Sequence, residues 1–331
     1  MKNNKITLIA FVLMCCATTV LANDGYVVSV DGTVRNEEGT LKTLGEFEYA
    51  FVSPDGEYYA VLTFEETASF PLKSTARVYD GTGRLSYVIP GTGASRAVVA
   101  DSGACVLVTM TGPDPSAPAE LAFYDASGHM TGSAETGFPG DAAFLADDRL
   151  LALSLPGDAT RVYDMETGGE EYDVPVSRTL AAANGALLLV DPEFIALYDG
   201  SFLEWEFNHD LYYPRMAVVN DGATAALAGC HHEVALLDLE NGRIADVWEA
   251  PDDFAVTDID ASGDFSFIAV GLRSLKGVEA AYLLDGSFKV LKSEERPVTR
   301  PSGSMPIVKV VNGVEPEVAA FGQGWRAALT R

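Results

Sequence analysis

Residues Phe47–Thr63, FEYAFVSPDGEYYAVLT, decide the fold. Two runs rich in aromatic and branched side chains flank Ser53-Pro54-Asp55-Gly56, a turn-forming quartet, so the stretch predicts strand, tight turn, strand. The far end of the chain echoes it: Glu317–Thr330 reads EVAAFGQGWRAALT, with Gly324 in the place of Gly56. Turn formers of the same kind follow short strands at Gly103, Asp148, Gly185, Gly222 and Gly263, seven positions in all. A second series, in which an aspartate ends an apolar run, falls at Asp31, Asp80, Asp125, Asp164, Asp199, Asp238 and Asp285. The two series alternate without exception, which marks an internal repeat.

Residues 23–331 divided seven ways give about 44 residues per repeat, within the range of propeller blades. One repeat shows four short runs, Ser95–Ala100, Ala104–Met110, Glu120–Tyr124 and His129–Gly132, bounded by Gly, Asp, Pro or Ser. They are rich in Val, Leu, Phe and Tyr, and no helical periodicity of convincing length competes with them. Radial stacking of four-stranded units keeps sheet edges short and protected. The repeats are expected at 46–91, 92–136, 137–176, 177–208, 209–250 and 251–295. The seventh is expected to be split. Residues 314–331 would supply two inner strands, and Tyr26–Val34, YVVSVDGTV, an outer hairpin that matches Ala76–Val88, ARVYDGTGRLSYV. The prediction is an all-β chain: a seven-bladed β-propeller of four-stranded antiparallel blades, closed by N-terminal strands joining the C-terminal blade.

In repeat length, turn placement and alternation the chain resembles the WD-repeat and YVTN-type propeller superfamily, especially its secreted bacterial members. Neither the Trp-Asp dipeptide nor the YVTN tetrapeptide occurs. The resemblance implies the fold; function must be read from the residues in which the repeats differ.

The first 22 residues read as a signal peptide. Lys2 and Lys5 precede an apolar run, Ile6–Met14, and Val20-Leu21-Ala22 supplies the small-x-small cleavage pattern. Residues 23–331 then form a single propeller domain, periplasmic or secreted. Lipoprotein anchoring through Cys15 or Cys16 is the lesser expectation, because the preceding residue, Met14 or Cys15, is not the small one such a site uses. No later stretch has 18 consecutive apolar residues, so no transmembrane span is expected after signal removal. Loss of Lys2 and Lys5 leaves 20 basic residues against 48 acidic ones, a net charge of −28. That balance argues against nucleic acid as partner and favours a solvated acidic surface. Cys105 and Cys230, three repeats apart, are expected as two reduced, mostly buried thiols.

The aspartates of both turn series read as Asx-type turn formers. Insertions fall instead at the second-to-third strand connections: Phe64–Thr75, Gly112–Ala119 and Gly271–Gly277. In repeat proteins the insertion-bearing face is often the binding face. Counting back seven residues from each first-series turn gives Tyr49, Arg96, Asp141, Arg178, Arg215, Val256 and Glu317. Three of the chain's 14 arginines thus share one register, and guanidinium forks suit carboxylate or phosphate. Arg96, Arg178 and Arg215 are the candidate anion-binding residues; the alternative is pairing with neighbouring acids such as Asp141 and Glu317.

His209, Cys230, His231, His232 and Glu233 gather three of the four histidines in one repeat, a ligand set that suits zinc or a related divalent metal. Adjacent strand residues point to opposite faces, so His231 and His232 could share an ion only in an irregular turn. Asp258-Ile259-Asp260-Ala261-Ser262-Gly263 begins like a calcium loop, but Ala269 stands where a bidentate glutamate should close it. Neither reading displaces the expectation of no cofactor. Nucleophile-elbow, phosphate-loop and dinucleotide signatures are lacking, and Trp205, Trp248 and Trp325 fall within strands as packing residues. The function expected is an exported, non-catalytic binding or scaffolding propeller. Its protein partner or small anionic ligand would dock on the insertion-bearing face. The alternative is a propeller enzyme of the lactonase, lyase or quinoprotein type, centred on the channel mouth.

Overall fold

The structure, a computed structural model, describes residues 28–297 except 31–32, 37–38, 55, 66–71, 114–116, 212–213, 220–222, 230–231 and 263–264, together with 307–311, 317–321 and 328–329. Every regular element described is a β-strand, and the strands form eight antiparallel sheets. Six are four-stranded meanders in chain order: sheet 1, 48–92; sheet 2, 94–136; sheet 3, 142–174; sheet 4, 179–208; sheet 5, 214–249; and sheet 6, 254–297. Each coincides with an expected repeat to within a few residues. This is the architecture of a multi-bladed β-propeller.

The terminal repeat differs from its expected form. Val28–Val30 pairs antiparallel with Thr33–Asn36, Val28 opposite Arg35, and Glu317–Phe321 with Ala328–Leu329, Val318 opposite Leu329; Asp31 and Gly324 themselves lie outside the described residues. Each strand pair sits in its own three-stranded sheet. Gly39–Thr43 adds to the first by pairing with Thr33–Asn36, and Ile307–Val311 adds to the second by pairing with Glu317–Phe321. Glu317–Phe321 is therefore a middle strand, not an innermost one. The two strands responsible lie in segments that the turn series left outside the repeats.

The chain divides into two compact units, one ending at Ser177 and the other beginning at Arg178. The first holds the N-terminal sheet and sheets 1–3; the second holds sheets 4–6 and the C-terminal sheet. Within each unit the apolar cores lie between successive sheets. Phe51, Leu62, Val78 and Tyr87 of sheet 1 meet Ala97, Val99 and Leu107 of sheet 2. In the second unit Val218, Ala226 and Leu236 of sheet 5 meet Ile259, Ile268 and Leu284 of sheet 6.

This packing explains the sequence pattern. Second strands are covered on both faces and read as unbroken apolar runs: Leu187, Leu188, Leu189 and Val190 are all fully buried, each contributing about 1.5–3 kcal/mol. Fourth strands are covered on one face only, so Leu85–Thr92 alternates exposed and buried residues along most of its length. Cys105 lies inside a second strand as a buried free thiol, its pKa pushed up to about 12 by burial.

The aspartate series forms the expected turns. Asp80 Oδ1 accepts from Thr82 N at 3.0 Å, Thr82 Oγ1 at 2.6 Å and Arg84 N at 2.9 Å. Asp125 repeats the pattern with Ser127 and His129, and Asp285 with Ser287 and Lys289. Left-handed glycines, Gly83 at φ 83° and Gly128 at φ 82°, complete the first two turns. In sheet 6 a phenylalanine, Phe288 at φ 60°, holds that conformation and is itself buried. The first turn of sheet 6 also closes on a phenylalanine. Phe265 N donates to Ser262 O at 2.9 Å as Gly56 N donates to Ser53 O at 3.1 Å. Phe265, not Gly263, is thus the equivalent of Gly56.

Candidate functional site

The candidate arginines occupy three different kinds of position. Counted in paired residues from the hairpin turn, Arg96 is fourth on the first strand of sheet 2, opposite Val108. Tyr49 holds the same place in sheet 1, opposite Leu62. In sheet 5 that place belongs to Met216, opposite Ala228, and Arg215 is the extra residue of a bulge between Met216 and Pro214. Sheets 2 and 6 bulge at the matching point, at Ser95 and Thr257. Asp258 rather than Val256 is then the residue of sheet 6 equivalent to Arg96. Arg178 precedes its strand, Thr179–Ala183, and is exposed.

Arg96 is 5% exposed. Its Nη1 donates to the carbonyls of Pro139 at 2.9 Å and Gly140 at 3.0 Å, in the connection leading to sheet 3. The guanidinium therefore ties two successive sheets together through backbone oxygens. Asp141, proposed as its acidic partner, follows those carbonyls directly. The side chain of Arg215 lies outside the described residues.

Of the histidine cluster, Cys230 and His231 lie outside the described residues. His209 is held by backbone on both ring nitrogens. Leu211 N donates to Nδ1 at 3.1 Å, which leaves the proton on Nε2 to be donated to Asp191 O at 2.8 Å. The ring thus bridges the second-to-third connection of sheet 4 to the segment leading into sheet 5. His232 and Glu233 are half-buried at the start of a strand. Among the described residues no group of three or more His, Cys, Asp or Glu side chains is placed to hold a metal ion. Asp258 and Asp260 lie within the strand Phe254–Ala261 and not in a loop, and Asp260 is fully buried. The calcium-loop reading fails on that geometry, because ligand oxygens must converge from a turn.

Two of the three insertions, Phe64–Thr75 and Gly112–Ala119, fall partly outside the described residues. The third is not a loop. Gly271–Ser274 continues the second strand, Phe267–Ser274, and the third, Val278–Asp285, starts after a tight turn. In that turn Gly277, at φ 76°, donates its N–H to Ser274 O at 3.1 Å. Seven pairs join the first two strands of sheet 6, up to Phe254 opposite Ser274, against five in sheets 1, 2, 4 and 5 and four in sheet 3. Two more pairs than the usual five amount to about 7 Å of additional sheet. At its tip Leu275 is fully exposed, and Lys276 pairs with Asp253.

Sequence reasoning missed Leu275 because it treated the insertion as a unit. It also missed Phe202, 75% exposed at the third-to-fourth turn of sheet 4. The signal for Phe202 was present, since the corresponding turns carry Arg84, His129, Arg243 and Lys289 there.

No protein-family model matches the chain, and no curated protein matches it. Solved structures do, and they define a β-propeller. BamB from Moraxella catarrhalis superposes with a TM-score of 0.62 at 13% identity, over 93% of this chain and 95% of that one. Kluyveromyces lactis Hsv2 gives 0.59 at 15%, over 82% and 88%. The C-terminal WD40 domain of Sif2 gives 0.58 at 13%, over 92% and 93%. At such identity the likeness is one of fold.

Proposed function

We propose that this chain is an exported, non-catalytic binding module of the propeller class. Its protein partner docks at the sheet ends that carry the second-to-third strand connections. The observation that carries this reading is sheet 6, whose added strand pairs raise a hairpin stiffened by the Ser274 turn and end on the solvent-exposed Leu275. An apolar side chain presented on regular structure is pre-organised for contact, so docking loses little conformational entropy. At the opposite strand ends the polar groups are consumed internally by the Asp80, Asp125 and Asp285 turns. In this proposal Arg178 and Arg215 draw an anionic group of the partner. Arg96 serves structure.

Affinity purification of the full-length protein from the cell envelope tests the reading, with wild type and Leu275→Glu side by side. Wild type should retain a defined partner that the variant recovers at least about tenfold less well. Equal recovery by both, or none by wild type, contradicts it.

A further inference from the structure

The third-to-fourth turns offer an internal comparison. In sheet 1 Arg84 lies beside Asp80 and helps hold its carboxyl low. In sheet 2 His129 stands 3.7 Å from Asp125. In sheet 3 Arg149 stands 3.9 Å from Asp164, and in sheet 5 Arg243 stands 3.3 Å from Asp238. In sheet 6 Lys289 acts on Asp285. A basic residue thus stands beside the turn aspartate in five of the six sheets, within 4 Å of its carboxylate in sheets 2, 3 and 5. Sheet 4 carries an apolar residue instead. Asp199 pairs across the hairpin with Phe202, and among the described residues no cation forms an ion pair with it.

Phe202 is 75% exposed and Leu203 beside it 49%. Asp199, Glu204 and Glu206 are exposed around them. A cation that neutralises the turn elsewhere has been exchanged for an apolar side chain, and the acidic residues remain. Such a surface complements a segment that brings its own cations beside apolar side chains. An anionic bilayer would instead be repelled by a chain of net charge −26.

We propose that the hairpin Phe194–Asn208 is a second docking surface, for a partner protein segment in which lysine or arginine flanks apolar residues. Phe202 and Leu203 provide the apolar contact. Asp199, Glu204 and Glu206 receive the partner's cations, and the cation at Asp199 takes the role that Arg84 or Arg243 performs in cis for its own turn. This site lies at the strand ends opposite those that carry Leu275, and it stands or falls separately.

The test is fluorescence-anisotropy titration of the full-length protein with a labelled twelve-residue peptide carrying two leucines among four lysines. A glutamate-for-lysine counterpart is the control. The lysine peptide should bind and the glutamate peptide should not. Phe202→Ser with Leu203→Ser, which leaves the charge unchanged, should weaken binding at least about tenfold. Asp199→Asn with Glu204→Gln should weaken it severalfold and flatten its salt dependence. Leu275→Glu should leave it unchanged. Thermal melts confirm that the variants fold, as expected for exposed positions. Equal binding by the serine variant would show attraction to bulk charge only and overturn the proposal. Absence of binding would do the same. Phe202-dependent self-association, or Phe202-dependent binding to phosphatidylcholine vesicles, would assign the patch to another occupant and equally overturn it.

Discussion

Gly128 and Gly242 show why single residues govern this fold. Gly128, at φ 82°, closes the outer turn of sheet 2, and a Cβ there would lie 2.6 Å from the ring of Tyr87 on the last strand of sheet 1. Tyr87 Oη also donates to Gly103 O at 2.7 Å. Gly242, at φ 58°, would place a Cβ 2.7 Å from Trp205 of sheet 4, whose Nε1 donates to Leu239 O at 2.8 Å. Alanine at either position should cost about 2–4 kcal/mol, combining left-handed strain with displacement of a packed ring. Gly157, at φ 81° with open space around it, isolates the strain, so Gly157→Ala should cost only about 1–2 kcal/mol. Urea denaturation of the three variants checks the difference. Arg96→Ala should cost about 2–3 kcal/mol by removing charge-assisted bonds to the buried carbonyl of Pro139 and the half-buried one of Gly140. A loss below about 0.5 kcal/mol would return Arg96 to the pool of ligand-binding candidates. Nothing in the residue spacing separated Arg96 from Arg215. The count of seven from Gly222 runs one residue past the fourth pair, Met216, onto the bulge, whereas the same count from Gly103 lands on the fourth pair itself, and one residue exchanges the faces of a strand.

At the scale of the element, the aspartate turns were legible because their chemistry is local. Asp, then Ser or Thr, then a left-handed residue within five positions (Gly83, Gly128 or Phe288) is enough to close the loop. That local chemistry also predicts the acid response. Hydrogen bonds from Ser127 and His129 hold Asp125 below the usual carboxylate range. Ser287 and Lys289 do so for Asp285, and Asn241 and Arg243 for Asp238. For Asp80, burial pushes the other way, but bonds from Thr82 and Arg84 prevail. A carboxylate depressed in the folded state stabilises it above the unfolded value of about 3.9, and that stability disappears as pH falls through the folded value. Stability should therefore hold from pH 7 to about pH 4.5 and fall steeply below pH 4. Asp125→Ser with Asp285→Ser should flatten that fall, as read by urea midpoints between pH 5 and pH 2.5. A slope identical to wild type would place the acid-sensitive groups elsewhere. The strands Gly39–Thr43 and Ile307–Val311 were not legible, for a matching reason. Neither is introduced by a turn of either series, and their pairing depends on partners supplied by the assembled sheet.

For the molecule as a whole, repeat length and turn alternation carried the architecture, because seven copies of a weak signal reinforce one another. Function has no such redundancy. The proposed function rests on single departures from the repeat: the hairpin ending at Leu275, and Phe202 in place of a basic residue. Such positions can be weighed only once the register of each sheet is known, and the turns of sheets 5 and 6 shift that register. The arginine set, drawn from the unshifted count, mixed a packing residue with one at a bulge and one before a strand. The central claim is that this propeller binds a protein partner through the sheet 6 hairpin. Photo-crosslinking in living cells tests it most directly, with a benzophenone amino acid at position 275 and, as control, at Thr82 on an outer turn. A discrete adduct of defined mass is expected from position 275 and none from position 82. Adducts of equal pattern from both positions, or none from position 275 in protein that is exported and folded, would contradict it.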